Sequence, residues 1–452
     1  MTDRIVDPQA IKDDTVDETE VFDLIVVGCG PAGSAAAITA AKRGLRVLIL
    51  ERGSYVGAKN LYGGVIYLSI LRTLLTDDEI ATIPFERKIV RRNTMVLSGD
   101  RAITISVDNP RWVEDLPNAI TSHRREFDGF LAEIAKGRGA TLVLEALVTD
   151  VMPGDRSSNA KVMVSIGDGS TEVLSARSVI VAEGSNPRLL EKISGNKGVA
   201  PAFSLGVKET IAIDEATIDE RFGLDNGRGV DIEVLGATQD VKGGGFLYTN
   251  RTSISIGLVV DIDDLAAKAQ RPEDLLEKFK DHPSIAPLIK GGKRLEYGAH
   301  LLNEGGYHNF PGAPIGRVLF AGDAASTLLA AGIYLEGVNY AIASGIEIAN
   351  LVADSVIKGD FEILKSLKKR VESSFIGDNH RRLAGAFEFA SSQFAQQKLP
   401  RLANSFADKV FTVTDPEAKM GFSKAFKLSM KESRVGRGEL AKELLRGFRL
   451  FR

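Results

Sequence analysis

Three stretches of this chain set small residues and carboxylates where a phosphorylated ligand can be held. Gly28-Cys29-Gly30-Pro31-Ala32-Gly33 follows the apolar run Asp23-Leu24-Ile25-Val26-Val27 and precedes Ser34-Ala35-Ala36-Ala37-Ile38. Strand, glycine turn and helix in that order make a dinucleotide fingerprint. Gly28 permits the tight turn, Gly30 lets the backbone approach a pyrophosphate, and the helix N-terminus faces the anion. After Gly44, the strand Arg46-Val47-Leu48-Ile49-Leu50 closes on Glu51, followed by Arg52. A carboxylate at Glu51 can accept hydrogen bonds from both adenosine ribose hydroxyls, which disfavours a 2′-phosphate and therefore NADP. The second stretch, Arg317-Val318-Leu319-Phe320-Ala321-Gly322-Asp323, repeats the strand-into-turn design and ends on a carboxylate suited to a polyol hydroxyl. A nicotinamide dinucleotide has no ribityl chain, so the two motifs together specify FAD. In the third, Ala182-Glu183-Gly184 follows the strand Ser178-Val179-Ile180-Val181 and is expected to cover the adenosine side of that cofactor.

A further loop, Gly332-Ile333-Tyr334-Leu335-Glu336-Gly337-Val338-Asn339, leads into the helix that begins Tyr340-Ala341-Ile342. If the start of that helix, with Gly337 and Asn339, faces the flavin, its partial positive charge stabilises the negative charge of the reduced ring. The Gly63-Gly64 pair offers unobstructed backbone amides to a flavin face or its pyrimidine edge. Lys59 either adds a positive charge there or is a solvated loop lysine. Arg124 can reach phosphate or ribityl oxygens, or make a surface ion pair. Phe246 and Tyr248 alternate with Leu247 across the two faces of a strand. That face either lines a substrate pocket or belongs to the core.

Nucleotide-binding signals near residues 24, 124, 180 and 320 are separated by strand-rich sequence, so one domain must be assembled from discontinuous pieces. Residues 23–84, 119–200 and 310–350 are assigned to an α/β FAD-binding Rossmann domain. Residues 85–118 and 201–309 form an inserted mixed or antiparallel sheet domain for the substrate, and 351–452 a helical C-terminal region. The acidic stretch 1–22 reads as a mobile tail or, less simply, a docking segment. Alternation in Ala102-Ile103-Thr104-Ile105-Ser106-Val107 and in Ser253-Ile254-Ser255-Ile256-Gly257-Leu258 predicts antiparallel strands with one face on a core. A hairpin is expected from 161–166 and 171–174, joined through Gly167-Asp168-Gly169.

The 452 residues carry a net charge of −3 and are 44% hydrophobic, which gives no sign of nucleic-acid binding. The single cysteine, Cys29, excludes an intramolecular disulfide, a CxxC pair and an all-cysteine iron–sulfur cluster within the chain. Five histidines, at 123, 282, 300, 308 and 380, lack zinc-binding spacing, so no metal site is expected. No run approaches the roughly 20 uninterrupted apolar residues of a membrane span. With no secretory pattern either, the cytoplasm is the default compartment, with peripheral attachment to the inner face of the cell membrane as an option.

With these motifs in place, the chain resembles the flavoprotein family of geranylgeranyl reductases, electron-transfer-flavoprotein:quinone oxidoreductases and FixC proteins. It is most similar to the FixC family, through Gly57-Ala58-Lys59-Asn60-Leu61-Tyr62-Gly63-Gly64, Gly243-Gly244-Gly245-Phe246-Leu247-Tyr248-Thr249-Asn250 and Glu296-Tyr297-Gly298-Ala299-His300. Arg124, ahead of Phe127-Asp128, matches the family's cofactor-contacting arginine. Family members and related hydroxylases often carry Ala-Asp-Gly where this chain has Ala182-Glu183-Gly184, so a detailed hydrogen bond is not transferred to Glu183. The resemblance implies a glutathione-reductase-like FAD domain and a quinone-facing sheet domain lined by Phe246 and Tyr248.

Only one glycine fingerprint is present, so electrons are expected from another protein rather than from NAD(P)H. The resemblance implies an electron-transfer flavoprotein as donor, a quinone as acceptor and a small ferredoxin-like iron–sulfur protein supplied in trans; an electron-bifurcating assembly is a further option. Quinone reduction takes two electrons and two protons, and no catalytic acid or base is assigned. Alternatives from the same frame are reduction of isoprenoid double bonds, as in geranylgeranyl reductases, and a non-catalytic FAD-bound scaffold. Between Lys419 and Arg452, basic residues outnumber glutamates and interleave with Phe422, Phe426, Leu444, Leu445, Phe448, Leu450 and Phe451. Such a basic amphipathic segment lies on an anionic bilayer or binds a partner.

Overall fold

The computed structural model describes residues 21–58, 63–167, 169–186, 188–195, 203–303, 310–331, 334–416 and 418–450. Lys59, Asp168, Phe451 and the acidic segment 1–20 lie outside the described residues. Strand Val21–Val27 lies at the centre of a seven-stranded sheet, with Val47–Leu50 parallel on one side and Thr171–Val181 parallel on the other. Val318–Phe320 also pairs in parallel with Thr171–Val181. The expected hairpin is present as Ala160–Ser165 against Thr171–Val181. Strands buried on both faces read as continuous apolar runs, and here alternate residues divide between two cores. Leu24, Val26, Ile49, Ile180 and Leu319 join the cluster under helices Pro31–Lys42 and Val338–Lys358. Ile25, Val27, Leu48, Leu50, Val179, Val181 and Phe320 enter the cluster on the opposite side.

The two helices touch through their small residues. A Cβ on Gly345 would lie 2.2 Å from the Ala32 carbonyl oxygen, so glycine is what allows this approach. Helix Val338–Lys358 is long and apolar enough to cross a membrane, but 72% of its apolar window is buried inside the protein.

The second sheet has nine strands, running from Lys293–Asn303 through Phe203–Ala212, Ser253–Asp261, Gly243–Thr249, Arg228–Leu235 and Arg87–Ser98 to Ala119–His123 and Gly63–Tyr67. Strands 63–67 and 119–123 therefore pair here and not in the parallel sheet, although 63–67 comes after Val47–Leu50 of that sheet in the chain and 119–123 leads through helix Arg124–Gly137 back to it at Thr141–Val143. One face carries Val207, Val230, Ile232, Val234, Leu247, Ile254, Ile256 and Leu258, packed with Phe222, Leu275 and Phe279 of helices Glu215–Phe222 and Pro272–Lys280. Each such side chain contributes about 1.5–3 kcal/mol on burial.

Two expectations are corrected. Strand Arg101–Asp108 pairs antiparallel with Arg87–Ser98 as anticipated, but its alternation does not mark a core face: Ile105 and Val107 are 62% and 50% exposed. It hangs at the side of the main strand path, with helix Leu399–Phe411 reaching it through Arg101–Asp408 at 3.1 Å. Ser253–Asp261, paired on both sides, is instead buried on both faces. Beneath the sheet, the fully buried Arg87 donates to the carbonyls of Asn250 and Arg228 at 2.7 and 2.8 Å and pairs with Asp219.

Candidate flavin and acceptor site

The glycine turn, the end of strand Thr171–Val181, the turn after Val318–Phe320 and the polar face of the nine-stranded sheet meet around one cavity of about 830 Å³. That volume is toward the upper end for a small-molecule site, about 300–1,000 Å³. At one end it is lined by Gly28, Gly30, Pro31, Ala32, Glu51, Arg52, Arg124, Glu183 and Gly184. Its middle is lined by Gly63, Gly64, Gly322, Asp323, Gly337 and His300, and its far wall by Phe246, Tyr248, Asp231 and Glu233. Gly33 and Asn339 lie behind the lining. A Cβ on Gly33 would sit 1.9 Å from the Gly28 carbonyl oxygen, and the Asn339 amide donates to Glu336 at 2.6 Å.

The glycine turn is tightly built. Gly28 has φ of +94°, and a Cβ there would meet the Ala182 carbonyl at 2.5 Å. Helix Pro31–Lys42 starts at Gly30 with no side-chain cap, so its first amides face the cavity as donors for an anion. At Gly30 and Gly64 an added Cβ would meet nothing closer than 3.9 Å and nothing within 4 Å, respectively, which leaves the backbone open to a ligand. Glu51 accepts from the amides of Cys29 and Gly53, both at 2.8 Å, which orients a carboxylate whose remaining lone pairs can take ribose hydroxyls. Asp323 accepts from Ser185 at 2.9 Å, and the Gly322 amide is held by Ser344 at 2.8 Å.

Arg124 is clamped by two bonds of 2.8 Å to the buried Asp128, four residues on in helix Arg124–Gly137, which fixes its guanidinium beside the phosphate turn. Glu183 accepts the amides of Leu189 and Leu190, so it caps helix Arg188–Ser194 from across the cavity rim. Burial nevertheless pushes its carboxyl up to about 7. Cys29 is fully buried, and desolvation pushes its thiol up to about 12. It is therefore a small filler of the turn and not a nucleophile.

On the sheet wall, Phe246 and Tyr248 stack at 5.9 Å with an interplanar angle of 14°, while Leu247 points into the core. The Tyr248 hydroxyl donates to the Gly63 carbonyl and accepts from the buried Lys208 at 3.4 Å. Burial pushes the Lys208 ammonium down to about 8. Sequence reasoning had not singled out Lys208, Arg92, Asp231, Glu233 or Tyr67. The available signal was the strand Val230-Asp231-Ile232-Glu233-Val234, whose alternation marks a polar face but not what that face looks onto.

Glu51 beside the glycine turn, Asp323 and the helix N-terminus at Gly337 thus line one cavity, an arrangement suited to a flavin-dependent oxidoreductase. Residues 22–216 match the family model of pyridine nucleotide-disulphide oxidoreductases, and residues 203–302 that of the ubiquinone-binding region of ETF-QO. The chain is 34% identical to Protein FixC of Salmonella typhi, over 95% of this chain and 98% of that one. It is 35% identical to the probable electron transfer flavoprotein-quinone oxidoreductase YdiS of Escherichia coli, over 90% and 96%. A geranylgeranyl bacteriochlorophyll reductase-like protein from Thermoplasma acidophilum shares the fold, with TM-score 0.66 at 19% identity over 94% and 98% of the two chains. The flavin-dependent halogenase CmlS does so with TM-score 0.61 at 19% identity, over 95% and 70%. The chain belongs to the FixC family, and its cofactor is FAD.

Proposed function

We propose that this protein takes electrons from an electron-transfer flavoprotein and passes them through FAD to a quinone. The match of residues 203–302 to a ubiquinone-binding region carries this reading, because those residues supply the cavity wall opposite the phosphate turn. When bound, FAD can take up electrons singly and release them as a pair. The chain's own residues bind and orient it. The first turn of Pro31–Lys42 and Arg124 face the pyrophosphate, Glu51 the ribose, Asp323 the ribityl chain, and Gly64 the ring. The N-terminus of Val338–Lys358 would turn its positive end toward the flavin. Phe246 and the Gly243–Gly245 backbone, which carries no side chains, offer a surface where a quinone ring can lie. Reduction of isoprenoid double bonds rests only on a fold shared at 19% identity, and no observation favours it.

A small ferredoxin-like partner in trans and attachment to a membrane surface complete the proposal. The cavity reaches Ala390, Ser391 and Gln396 of the helical C-terminal region. Nearby helices leave Phe411, Phe422, Phe426, Leu444 and Leu445 exposed. The experiment is anaerobic photoreduction of the FAD-loaded protein followed by a short-chain quinone or a geranylgeranyl lipid. Reoxidation by the quinone is expected, and reoxidation by the lipid alone overturns the reading. Phe422→Glu with Leu444→Glu should lower sedimentation with anionic vesicles severalfold, and unchanged sedimentation would remove the membrane role.

A further inference from the structure

We propose that Glu233 and Asp231, on the cavity face of strand Arg228–Leu235, are the proton donors to the quinone. This rests on the quinone reading above and supplies what it lacks, a source for the two protons the reaction consumes. Alternate residues of a strand share a face. Register sets Asp231 between Arg92 and Tyr248, and Glu233 between Thr94 and Phe246. Both carboxylates line the cavity, and both fall within the segment matched to the ubiquinone-binding region.

Arg92 ties the two together. Its Nε lies 3.5 Å from Asp231, and its Nη2 donates a short hydrogen bond to Glu233. One guanidinium cannot neutralise two carboxylates, so the cluster favours holding a proton at neutral pH. Burial, then Asp231 and Glu336, push Glu233 up to about 7 against the pull of Arg92. Burial pushes Asp231 up to about 6. Among the described residues, the other ionisable groups around this cluster include Tyr67, over whose ring the Arg92 guanidinium lies at 5.6 Å, Tyr248, Glu336, Lys242 on the same cavity and, further along the sheet, Lys208. Interacting this closely, the two carboxyls titrate as a pair. Asp231 is nearly sealed, with its side chain 9% exposed, whereas Glu233 at 28% is the member that can reload from water.

The step balances as follows. A bound, reduced FAD would supply the two electrons and release its own N5 proton to solvent, and an O–H bond would form at each quinone carbonyl oxygen. The proton shared by the pair makes the first, leaving both carboxylates ionised against Arg92. Glu233 reloads from solvent and supplies the second.

The test uses the FAD-loaded, photoreduced full chain and a short-chain ubiquinone in a stopped-flow instrument across pH 5.5 to 9. Ferricenium, which takes electrons without protons, is the control acceptor. In the natural protein, reoxidation by quinone should slow as pH rises through the titration of the pair. Glu233→Gln should be slower at pH 7 by about 100-fold, the lower range for a positioned acid, and Glu233→Asp should recover part of the rate. Reoxidation by ferricenium should not respond. A second readout needs no turnover: infrared titration of the oxidised protein should show a carboxyl band that ionises near neutrality and is lost in Glu233→Gln. Natural rates and pH profile in both Glu233→Gln and Asp231→Asn would overturn the proposal, as would the absence of that band. If either variant fails to hold FAD, comparing the infrared titrations of the natural and Glu233→Gln apoproteins still decides, because Glu183, also raised to about 7, contributes equally to both. Failure of the natural protein to react with quinone while ferricenium reoxidises it would instead remove the quinone reading, and this proposal with it.

Discussion

Adding one methyl group at Gly33 or at Gly64 should have opposite consequences for the empty protein. At Gly33 the new Cβ would lie 1.9 Å from the Gly28 carbonyl oxygen, 3.0 Å from its carbon and 3.2 Å from Val26 Cγ1. The first two are backbone atoms of the turn, so the helix and turn must part. Overpacking of this kind costs about 1–3 kcal/mol, and at roughly 2–4 °C per kcal/mol for a sizeable domain, Gly33→Ala should lower the apoprotein Tm by several degrees. At Gly64 nothing lies within 4 Å. The same substitution there removes a strand glycine, worth about 0.4–1 kcal/mol in favour of the folded state. The apoprotein Tm should hold or rise. With the flavin against Gly64, however, the methyl occupies ligand space, and about 1–3 kcal/mol of overpacking weakens binding roughly 5- to 150-fold. Differential scanning fluorimetry of the apoproteins and titration by quenching of FAD fluorescence separate the two quantities. Natural FAD affinity in Gly64→Ala would refute the placement of the ring, and a natural apoprotein Tm in Gly33→Ala would refute the packing of the turn.

Cys29 should resist alkylation in the folded protein at pH 8 and react after denaturation, as measured by mass spectrometry, because its thiol is sealed and pushed up to about 12. Arg87→Met leaves Asp219 and the carbonyls of Asn250 and Arg228 without their partner, and should lower stability by about 3–5 kcal/mol in urea unfolding. Asp231 is raised from 3.8 to about 6, so between those values the folded state binds more protons than the unfolded one. Stability from this group is complete below pH 4 and is lost as pH rises through 6. The loss is on the order of 3 kcal/mol. The apoprotein Tm should therefore fall between pH 4.5 and 7 relative to that of Asp231→Asn; parallel curves would contradict the burial argument.

The glycine turn was legible because its information is local. A tight turn needs Gly28, a close approach needs Gly30, and the flanking apolar run and small-residue helix are contiguous with them. The Rossmann sheet followed for the same reason, since strands buried on both faces are apolar throughout. The second sheet was harder to read. Alternation in Ala102–Val107 and in Ser253–Leu258 looked alike, yet one strand hangs at the side of the sheet and the other lies inside it, paired on both edges. Pairing partners far along the chain decide that difference, and a single strand does not encode them. Val230-Asp231-Ile232-Glu233-Val234 poses the same problem in sharper form: its polar side would face water if the strand lay at a surface.

Here that side faces a cavity, and the energetics separate the two cases. On a wet surface, Arg92 with Asp231 and Glu233 would be an unremarkable ion-pair group worth about 0–1 kcal/mol per pair. Within the cavity wall the same three groups lose much of their hydration, and such a cluster generally returns no more stability than apolar residues of similar volume would. The opposite face of the sheet already supplies the core, through Val230, Ile232 and Val234. Folding alone therefore gives little reason to place two carboxylates between Thr94, Phe246 and Tyr248. Chemistry gives one: on the proposed reading, an acid pair whose carboxyls burial raises toward neutrality lies on the wall that would face the acceptor, in the same cavity as the glycine turn that would hold the flavin's phosphates.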